Sequence, residues 1–578
     1  MSWLRWPDLY IDFGQQLYVA WRIAEGDVLY RDLFYGYGPL ASYLNGALFR
    51  LFGPGILVLA LFNLLLIVVL TGCLYRLFTG IGNAESGFAA ALVFLTVFAL
   101  GHYHPMGNYN FVSPYVYDLT YGFILAVFCL ERFRHFLETR RRSALVATGL
   151  LAGAVFLTKA EVFGALLPAL ALGLVLARDG APPDSRPAPR WLPVFLCAGL
   201  AAPVLAALGF AGLMSWSEAL DALTLPWRLL LNPVLLDTAL YRWITGMDTP
   251  GYNLIYMVLY AAVFLLLVAV PAGITARWPR IPHRRAVLGS VALTSFTALA
   301  LMNTIPWMEL LRPLPLLMLG LVLWLGFRTL REKRDTAEGR RRVMMLMLSV
   351  FALLLMGKIV LKVLVYHYGF VLALPAALLV VHLGLYEWPR ALRRRFGTDT
   401  VFRASFATWL GIFILVMISR SYQFYSLKTY PVGSGRDLLY DFRTEDRGRF
   451  FEQTLSVLRN AMRPGDTLWA VPEMPMLNYQ LRVPSPLPEY VYHPAIWMLQ
   501  EGRSVLPKLK QAAPDWVVLV NRNFSNLGYA YFGVDYAVEE WQWILKHYVP
   551  FFESGPPHFH EVLGGLLVMK RKEAGSPP

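Results

Sequence analysis

Residues 56–75 read ILVLALFNLLLIVVLTGCLY, a run of twenty residues without a charged side chain. An α-helix of this length crosses the roughly 30 Å of hydrocarbon in a bilayer. Of the 578 residues in the chain, 57% are hydrophobic and only 16% are charged, and the mean hydropathy is +0.48. Soluble globular chains carry charge on about a quarter of their residues. The composition therefore predicts a polytopic α-helical membrane protein.

Eleven further apolar runs occur along the chain, some of them short for a helix that faces lipid. They are Gly87–Leu100, Leu119–Leu130, Ala144–Phe156, Val162–Ala177, Trp191–Met214, Leu254–Val270, Ala286–Met302, Leu314–Phe327, Val343–Val360, Val371–Leu385 and Ala404–Ile418. Tilted helices and helices buried in a bundle tolerate such lengths. The sequence therefore predicts about 12 spanning helices.

Arginine and lysine collect in four short loops, at residues 132–142, 277–285, 328–342 and 390–395. Such loops face the cytoplasm in membrane proteins, so the net charge of +14 does not indicate nucleic-acid binding. An even number of predicted helices separates each successive pair of these loops, which makes the assignment self-consistent. It places residues 1–55, a loop over residues 215–253 and everything after Arg420 on the opposite, external side.

The composition divides the chain into three regions. Residues 1–55 form an external acidic and aromatic loop with an amphipathic helix, residues 56–420 form the transmembrane domain, and residues 421–578 form an extracytoplasmic domain. In the last region, strand-like runs at 467–471, 516–520 and 566–569 alternate with helix-like stretches at 450–461 and 538–547, which predicts a small α/β domain. Its acids, including Glu473, lie where strand ends and turns need polar residues, so we expect no catalytic acid there.

Several chemistries find no support in the sequence. Cys73, Cys129 and Cys197 all lie in apolar runs, which predicts neither a disulfide framework nor a cysteine metal site. No Walker-type loop, dinucleotide fingerprint, HExxH or Asp-x-Asp signature occurs. ATP-driven transport and soluble nucleotide-sugar chemistry therefore lose support.

Residues 12–40 carry the most informative pattern. Asp12 is followed by Tyr18, then by Gly26 after a helix-like stretch, and then by Pro39-Leu40. This order resembles the first external loop of GT-C superfamily membrane glycosyltransferases, in the bacterial branch that includes aminoarabinose lipid A transferase, the protein O-mannosyltransferases and the rhizobial lipopolysaccharide transferases. Residues 108–118, which end in a second carboxylate at the outer mouth of a helix, and the short external turn at residues 158–161 are also similar to the family.

Two features depart from the family pattern. The residues before Asp12 are too few for the spanning helix that the family normally has there, so we expect either that the N-terminus is translocated without it or that the true start lies upstream. Gly36 and Tyr37 stand where the aminoarabinose transferase has Glu-Lys, which the resemblance links to a metal and a lipid phosphate. The resemblance thus implies that phosphate contacts come from elsewhere in the chain. No cofactor is assigned, and a divalent metal is the open alternative.

The resemblance implies transfer of a monosaccharide from a polyprenyl-phosphate sugar, with inversion, to an extracytoplasmic glycolipid, polysaccharide or protein, at a bacterial inner membrane. Such transfer needs a base for the acceptor hydroxyl and cations for the departing phosphate. Asp12 and Asp118 are the predicted catalytic carboxylates. The predicted substrate-binding residues are Tyr18, Lys159, Glu161, Arg312, Lys358, Lys362 and His367. Lys358 and Lys362 are four residues apart, which predicts one shared helical face.

Each assignment has a plainer alternative. Asp12 and Asp118 are also explained as solvated loop acids or helix caps, and Lys159 and Arg312 as cations that extend to lipid headgroups. Helices with embedded lysines also suit a secondary transporter or a flippase for lipid-linked saccharides, and inverted halves in the fold would favour transport. A third alternative is an inactive scaffold that binds partners through its C-terminal domain.

Overall fold

The computed structural model describes residues 2–10, 12–178, 191–500, 502–559 and 564–573, with the side chain of residue 178 left out. The α-helices are α1 Phe13–Glu25, α2 Pro39–Phe52, α3 Ile56–Ile81, α4 Ala84–Val93, α5 Tyr117–Thr139, α6 Arg142–Phe156, α7 Ala160–Arg178, α8 Trp191–Ala211, α9 Trp216–Leu230, α10 Pro233–Leu236, α11 Ala239–Thr245, α12 Pro250–Arg277, α13 His283–Ala300, α14 Leu314–Arg331, α15 Ala337–Leu355, α16 Leu374–His382, α17 Trp388–Phe396, α18 Thr400–Leu427, α19 Arg447–Ala461, α20 Pro475–Leu481, α21 Pro494–Leu499, α22 Leu506–Ala512 and α23 Val538–His547. The strands are β1 Lys428–Val432, β2 Leu439–Phe442, β3 Leu468–Val471, β4 Trp516–Val520, β5 Tyr548–Ser554 and β6 Leu566–Arg571.

Nine helical segments in the described ranges are long and apolar enough to cross a membrane, and two shorter apolar helices accompany them. Every apolar run that the sequence singled out overlaps a helix. The protein is therefore a multi-pass α-helical membrane protein, as predicted. Helices α5 and α13 are not among these nine segments, whereas residues 216–236 are.

Residues 215–253 differ from the loop that the sequence analysis expected, because they form α9, α10 and α11. Helix α9 begins with a capping box in which Ser215 and Glu218 each bind the other's backbone N–H. This Ser-x-x-Glu spacing is a known signal for a helix start. The short apolar runs that follow it are interrupted by prolines, which concealed the helices from a search for long runs.

The C-terminal domain contains a four-stranded sheet in the order β3-β4-β6-β5 and a separate β1–β2 ribbon. Strands β3 and β4 are parallel, and the other neighbours in the larger sheet are antiparallel. The predicted α/β character is confirmed. The predicted boundary at residue 420 lies inside α18, which continues to Leu427.

The N-terminal segment lies between the membrane helices and the C-terminal domain. Helix α1 packs against α2 and α20. It ends at Gly26, whose left-handed φ of 114° suits glycine, while Pro39 occupies the first turn of α2. Backbone hydrogen bonds join Phe34 N–H to the carbonyl of Pro488 and Tyr440 N–H to the carbonyl of Leu4. These hydrogen bonds attach the N-terminal segment to the C-terminal domain.

Candidate active site

A cavity of about 480 Å³ lies where the N-terminal loop, the α6–α7 turn, helices α9–α11, the end of α15 and residues 490–499 meet. Its polar lining comprises Asp12, Lys159, Glu161, Lys358 and His493, together with the rings of Tyr37 and Tyr241. Its apolar lining includes the leucine pairs at 229–230, 235–236 and 354–355. The lining therefore offers groups that suit a charged ligand together with apolar side chains that suit a hydrocarbon chain.

Asp12 lies at the start of α1, but its side chain does not cap that helix. Its backbone has a φ of 52°, an unusual value for a residue other than glycine. The hydroxyl of Tyr368 donates a hydrogen bond of 2.6 Å to its Oδ2 atom, and its own N–H donates to Oε1 of Glu473 at 3.4 Å. Burial and the nearby Glu473 raise the pKa of Asp12, and the Tyr368 hydroxyl opposes that shift. The helix-capping alternative is therefore not what the structure shows.

Glu473 reaches Asp12 from the C-terminal sheet. It lies two positions after the end of β3, and Arg522 lies two positions after the end of β4, so the parallel arrangement brings both side chains to the same edge of the sheet. Glu473 is buried and forms an ion pair with Arg522. In open α/β sheets, ligands bind beyond the carboxyl ends of the strands. The sequence analysis expected no catalytic acid in this domain, and that expectation stays a prediction; the structure places Glu473 beside Asp12.

Two lysines approach one carboxylate in the cavity. The Nζ atom of Lys358 lies 3.1 Å from Oε1 of Glu161, and the Nζ atom of Lys159 lies 4.0 Å from the same oxygen. Lys159 also lies 4.5 Å from the centre of the Tyr37 ring. Burial lowers the pKa of Lys159, with Lys358 acting in the same direction and Glu161 opposing it. Two cations and one anion leave this cluster with a net positive charge.

The turn that carries Lys159 is fixed to the loop that carries Tyr37. The N–H groups of Gly38 and Leu40 donate to the carbonyls of Thr158 and Leu157 at 2.8 and 3.0 Å. A Cβ atom at Gly38 would lie 2.3 Å from the Leu157 carbonyl oxygen, so only glycine fits this close approach. The family pattern's lysine is absent at Tyr37, and Lys159 supplies a cation beside that ring from another loop.

His493 contributes a neutral group to the cavity. Burial, together with the charge of Arg522, lowers the pKa of this histidine to about 4. Its buried Nδ1 atom makes no hydrogen bond to the described part of the protein. The imidazole of His493 is therefore neutral at neutral pH, and its Nδ1 atom is available to form a hydrogen bond with a polar group of a ligand.

Asp118 and Tyr18 lie outside the cavity lining. Asp118 is fully buried and accepts a 2.5 Å hydrogen bond from the hydroxyl of Tyr35, which in turn contacts Gln16 of α1. Tyr18 accepts a hydrogen bond of 2.9 Å from the N–H of Ser485, and its ring packs against a tyrosine of the C-terminal domain. Both residues join the N-terminal segment to its neighbours.

Arg312, Lys362 and His367 belong to a second cluster that does not line the cavity. Arg312 lies 2.8 Å from Glu309, and Lys362 lies 3.0 Å from Asp248. The ring of His367 stacks on that of Trp243 with 4.9 Å between centres, and Lys362 lies over the same tryptophan.

Lys358 and Lys362 do not share a helical face, contrary to the prediction. The chain leaves the helix in a short 3-10 turn that ends at Ile359, before the second lysine is reached. Gly357, which favours such an ending, is the local reason.

The structure thus brings together Asp12, Lys159, Glu161 and Lys358 from the predicted set. The sequence analysis missed Tyr37, Tyr368, His493 and Glu473 as residues of this site. For Glu473, the sequence offered one indication, a polar residue shortly after β3, because the carboxyl ends of parallel strands commonly meet at a binding site. Within the described ranges, no group of three or more histidine, cysteine or acidic side chains is placed to hold a metal ion.

Comparison with known proteins gives one family match and several similar structures. Residues 37–206 match the family described as dolichyl-phosphate-mannose-protein mannosyltransferase. No curated protein matches the sequence. The oligosaccharyltransferase of Archaeoglobus fulgidus, tethered to an acceptor peptide, is 11% identical with a TM-score of 0.48 over 95% of this chain and 69% of its own.

ArnT from Cupriavidus metallidurans bound to undecaprenyl phosphate is 14% identical with a TM-score of 0.40, over 100% of this chain and 96% of its own. The apo form of that protein is also 14% identical, with a TM-score of 0.38, over 98% of this chain and 94% of its own. The family match over residues 37–206 agrees with the resemblance to GT-C membrane glycosyltransferases.

Proposed function

We propose that this protein is a GT-C membrane glycosyltransferase that moves a monosaccharide, a hexose or a pentose, from a polyprenyl-phosphate sugar to an extracytoplasmic acceptor, with Asp12 as the base. One observation carries the proposal. A single cavity is lined by the two carboxylates Asp12 and Glu161, by two lysines and by several leucines. Such a donor offers a phosphodiester, a sugar and a hydrocarbon tail, and the cavity offers a counterpart to each.

The leucines of α9, α10 and α15 suit the polyprenyl chain. Leu236 lines the cavity and is itself 44% exposed, and Leu231, which follows the lining residue Leu230 in the chain, is 69% exposed. Apolar side chains that are exposed on a membrane protein contact lipid without cost. A lipid tail is therefore able to pass from the bilayer into the cavity along this wall.

Lys159 and Lys358 suit the phosphate. The donor phosphodiester carries one negative charge, whereas the departing polyprenyl phosphate carries about 1.5 to 2 near neutral pH, as other phosphate monoesters do. Two lysines near Glu161 therefore stabilise the leaving group more than the bound donor. Stabilisation that grows towards the transition state accelerates the reaction.

Asp12 suits the role of the base. The acceptor hydroxyl oxygen forms a bond to the anomeric carbon from the side opposite the phosphate, and its proton passes to the carboxylate. The bond between that carbon and the phosphate oxygen breaks, and its electron pair leaves with the polyprenyl phosphate. Attack from the opposite side inverts the anomeric configuration. A raised pKa moves the carboxylate towards the working pH, where a general base is most effective.

Asp118 has a supporting role in this proposal. Its hydrogen bond to Tyr35 fixes the loop that places Tyr37 beside Lys159. Tyr18 anchors α1 under the C-terminal domain in the same way. The active face is proposed to lie outside the plasma membrane of a bacterium, where the acceptor is a glycolipid, a polysaccharide or a protein.

The test is transfer by the purified protein with a panel of polyprenyl-phosphate sugars and cell-envelope acceptors. Asp12→Asn should keep donor binding and reduce the transfer rate about 10²- to 10⁴-fold, the usual loss for a general base. Asp27→Asn is the matched control, because Asp27 lies in the same loop, pairs with Arg22 at 2.8 Å and does not line the cavity. Near-normal transfer by the Asp12 variant, or movement of the lipid-linked sugar without transfer, would contradict the proposal.

A further inference from the structure

Helix α14 carries a stripe of side chains that lines a groove on a different part of the protein. The stripe consists of Leu314, Leu317, Leu321, Trp324 and Arg328, at alternating intervals of three and four residues. Such spacing keeps all five on one helical face. The fourteen-residue separation of its ends corresponds to about 21 Å at about 1.5 Å per residue. The groove is therefore longer than one leaflet, which is about half of a 30 Å hydrocarbon core.

Two cavities form this groove, with volumes of about 590 and 150 Å³. They share Phe264, Leu317 and Val380, so they lie next to each other. Their walls come from α12, α14, α16, α17 and α18, and the smaller cavity is lined almost entirely by apolar side chains. None of the lining residues belongs to the candidate active site. The groove is thus a separate feature of the membrane domain.

The larger cavity, which we call the wide end of the groove, is lined by more basic than acidic side chains. Three arginines and two glutamates line it, and most of these groups already have a partner of opposite charge. The ion pairs at this end are Arg328–Glu332 at 2.6 Å, Arg390–Glu338 at 2.7 Å and Arg341–Glu387 at 2.5 Å. Arg394 also lines the groove, and no carboxylate in the described part of the chain pairs with it. This arginine is left to bind an external anion.

Two tryptophans lie at the same end. Trp324 and Trp388 line the groove, and Trp324 is 49% exposed. Tryptophan prefers the boundary between hydrocarbon and headgroups, so this end of the groove reaches the membrane surface. It is also the end formed by the basic loops at residues 328–342 and 390–395, which the charge pattern assigns to the cytoplasmic side.

We propose that this groove binds one phospholipid with an anionic headgroup. Its acyl chain lies along the leucine stripe of α14, and its phosphate binds Arg394 between Arg328 and Arg390. An anionic lipid suits the site better than a zwitterionic one, because the ammonium of the latter would face these arginines. Anionic lipids are also enriched in the cytoplasmic leaflet. The proposal is independent of the transfer reaction.

The test compares Arg394→Gln with Arg395→Gln. Both arginines are exposed on α17 and neither has a carboxylate partner among the described residues, but Arg395 does not line the groove. Phosphatidylglycerol and phosphatidylcholine are titrated into the detergent-purified protein, with bound lipid counted by native mass spectrometry and the melting temperature recorded. We expect phosphatidylglycerol to bind more tightly than phosphatidylcholine. Arg394→Gln should weaken its binding about tenfold, or about 1.4 kcal/mol, while Arg395→Gln leaves it unchanged.

A second variant tests the apolar part of the site. Leu317→Trp replaces an isobutyl group with a larger indole ring at a residue that lines both cavities. The ring should displace the acyl chain, so fewer lipids should bind to a protein that still melts cooperatively. Equal effects of the two arginine variants, equal binding of both phospholipids, or undiminished binding by a folded Leu317→Trp protein would each overturn the proposal.

Discussion

Tyr368→Phe tests the proposed base through its hydrogen bond. The Tyr368 hydroxyl donates to Oδ2 of Asp12 at 2.6 Å and stabilises the charged carboxylate. A hydrogen bond to a charged group contributes about 1.5–3 kcal/mol, which is about a 10- to 150-fold change in an equilibrium constant. Without the hydroxyl the pKa of Asp12 rises. As the pH falls, the carboxylate therefore becomes protonated, and stops acting as a base, at a higher pH than in the parent protein.

The assay is the initial rate of transfer from acidic to alkaline pH. On the acid limb the variant should be slower than the parent by about 10- to 150-fold, and on the plateau the two rates should converge, because the base is fully ionised there. Phenylalanine keeps the ring that stacks on Tyr115 with 4.3 Å between centres.

Tyr115→Phe is the control for this experiment. The Tyr115 hydroxyl donates to the backbone carbonyl of Tyr368, not to Asp12. Its removal should leave the pH profile in place. If Tyr368→Phe loses the same fraction of its rate at every pH, or shows an unshifted acid limb, then Asp12 is not the titrating base.

Three further predictions concern the neighbouring groups and the topology. Glu473→Gln should move the acid limb to lower pH, because this carboxylate raises the pKa of the proposed base; a shift in the other direction would contradict the assignment. Lys358→Met should raise the KM for the lipid donor about tenfold or more, as expected for a lost charged contact, whereas Lys362→Met, outside the cavity, should not; equal values would remove Lys358 from the phosphate site. A membrane-impermeant thiol reagent applied to intact cells should label Ser434→Cys and spare Thr336→Cys, and the reverse pattern would overturn the proposed orientation.

Asp12 was predicted from the sequence because its loop carries a local pattern, and a local pattern can be recognised without knowledge of the fold. Lys159, Glu161 and Lys358 were identified by type and position, but their meeting at Glu161 was not. Arg312 was predicted on the same grounds, yet it pairs with Glu309 away from the cavity. Charge and membrane depth therefore select more candidates than one site uses.

The amino-acid sequence by itself determined the membrane class, the positions of the long apolar helices and the α/β character of the C-terminal domain, because hydrophobic length and periodicity act within one segment. The tertiary structure alone decided which charges share a cavity. It set Glu473 and Tyr368 against Asp12, across 461 and 356 positions of chain, and it buried Asp118 against Tyr35. Such pairings depend on how helices and domains pack, and no local property of the residues contains that information.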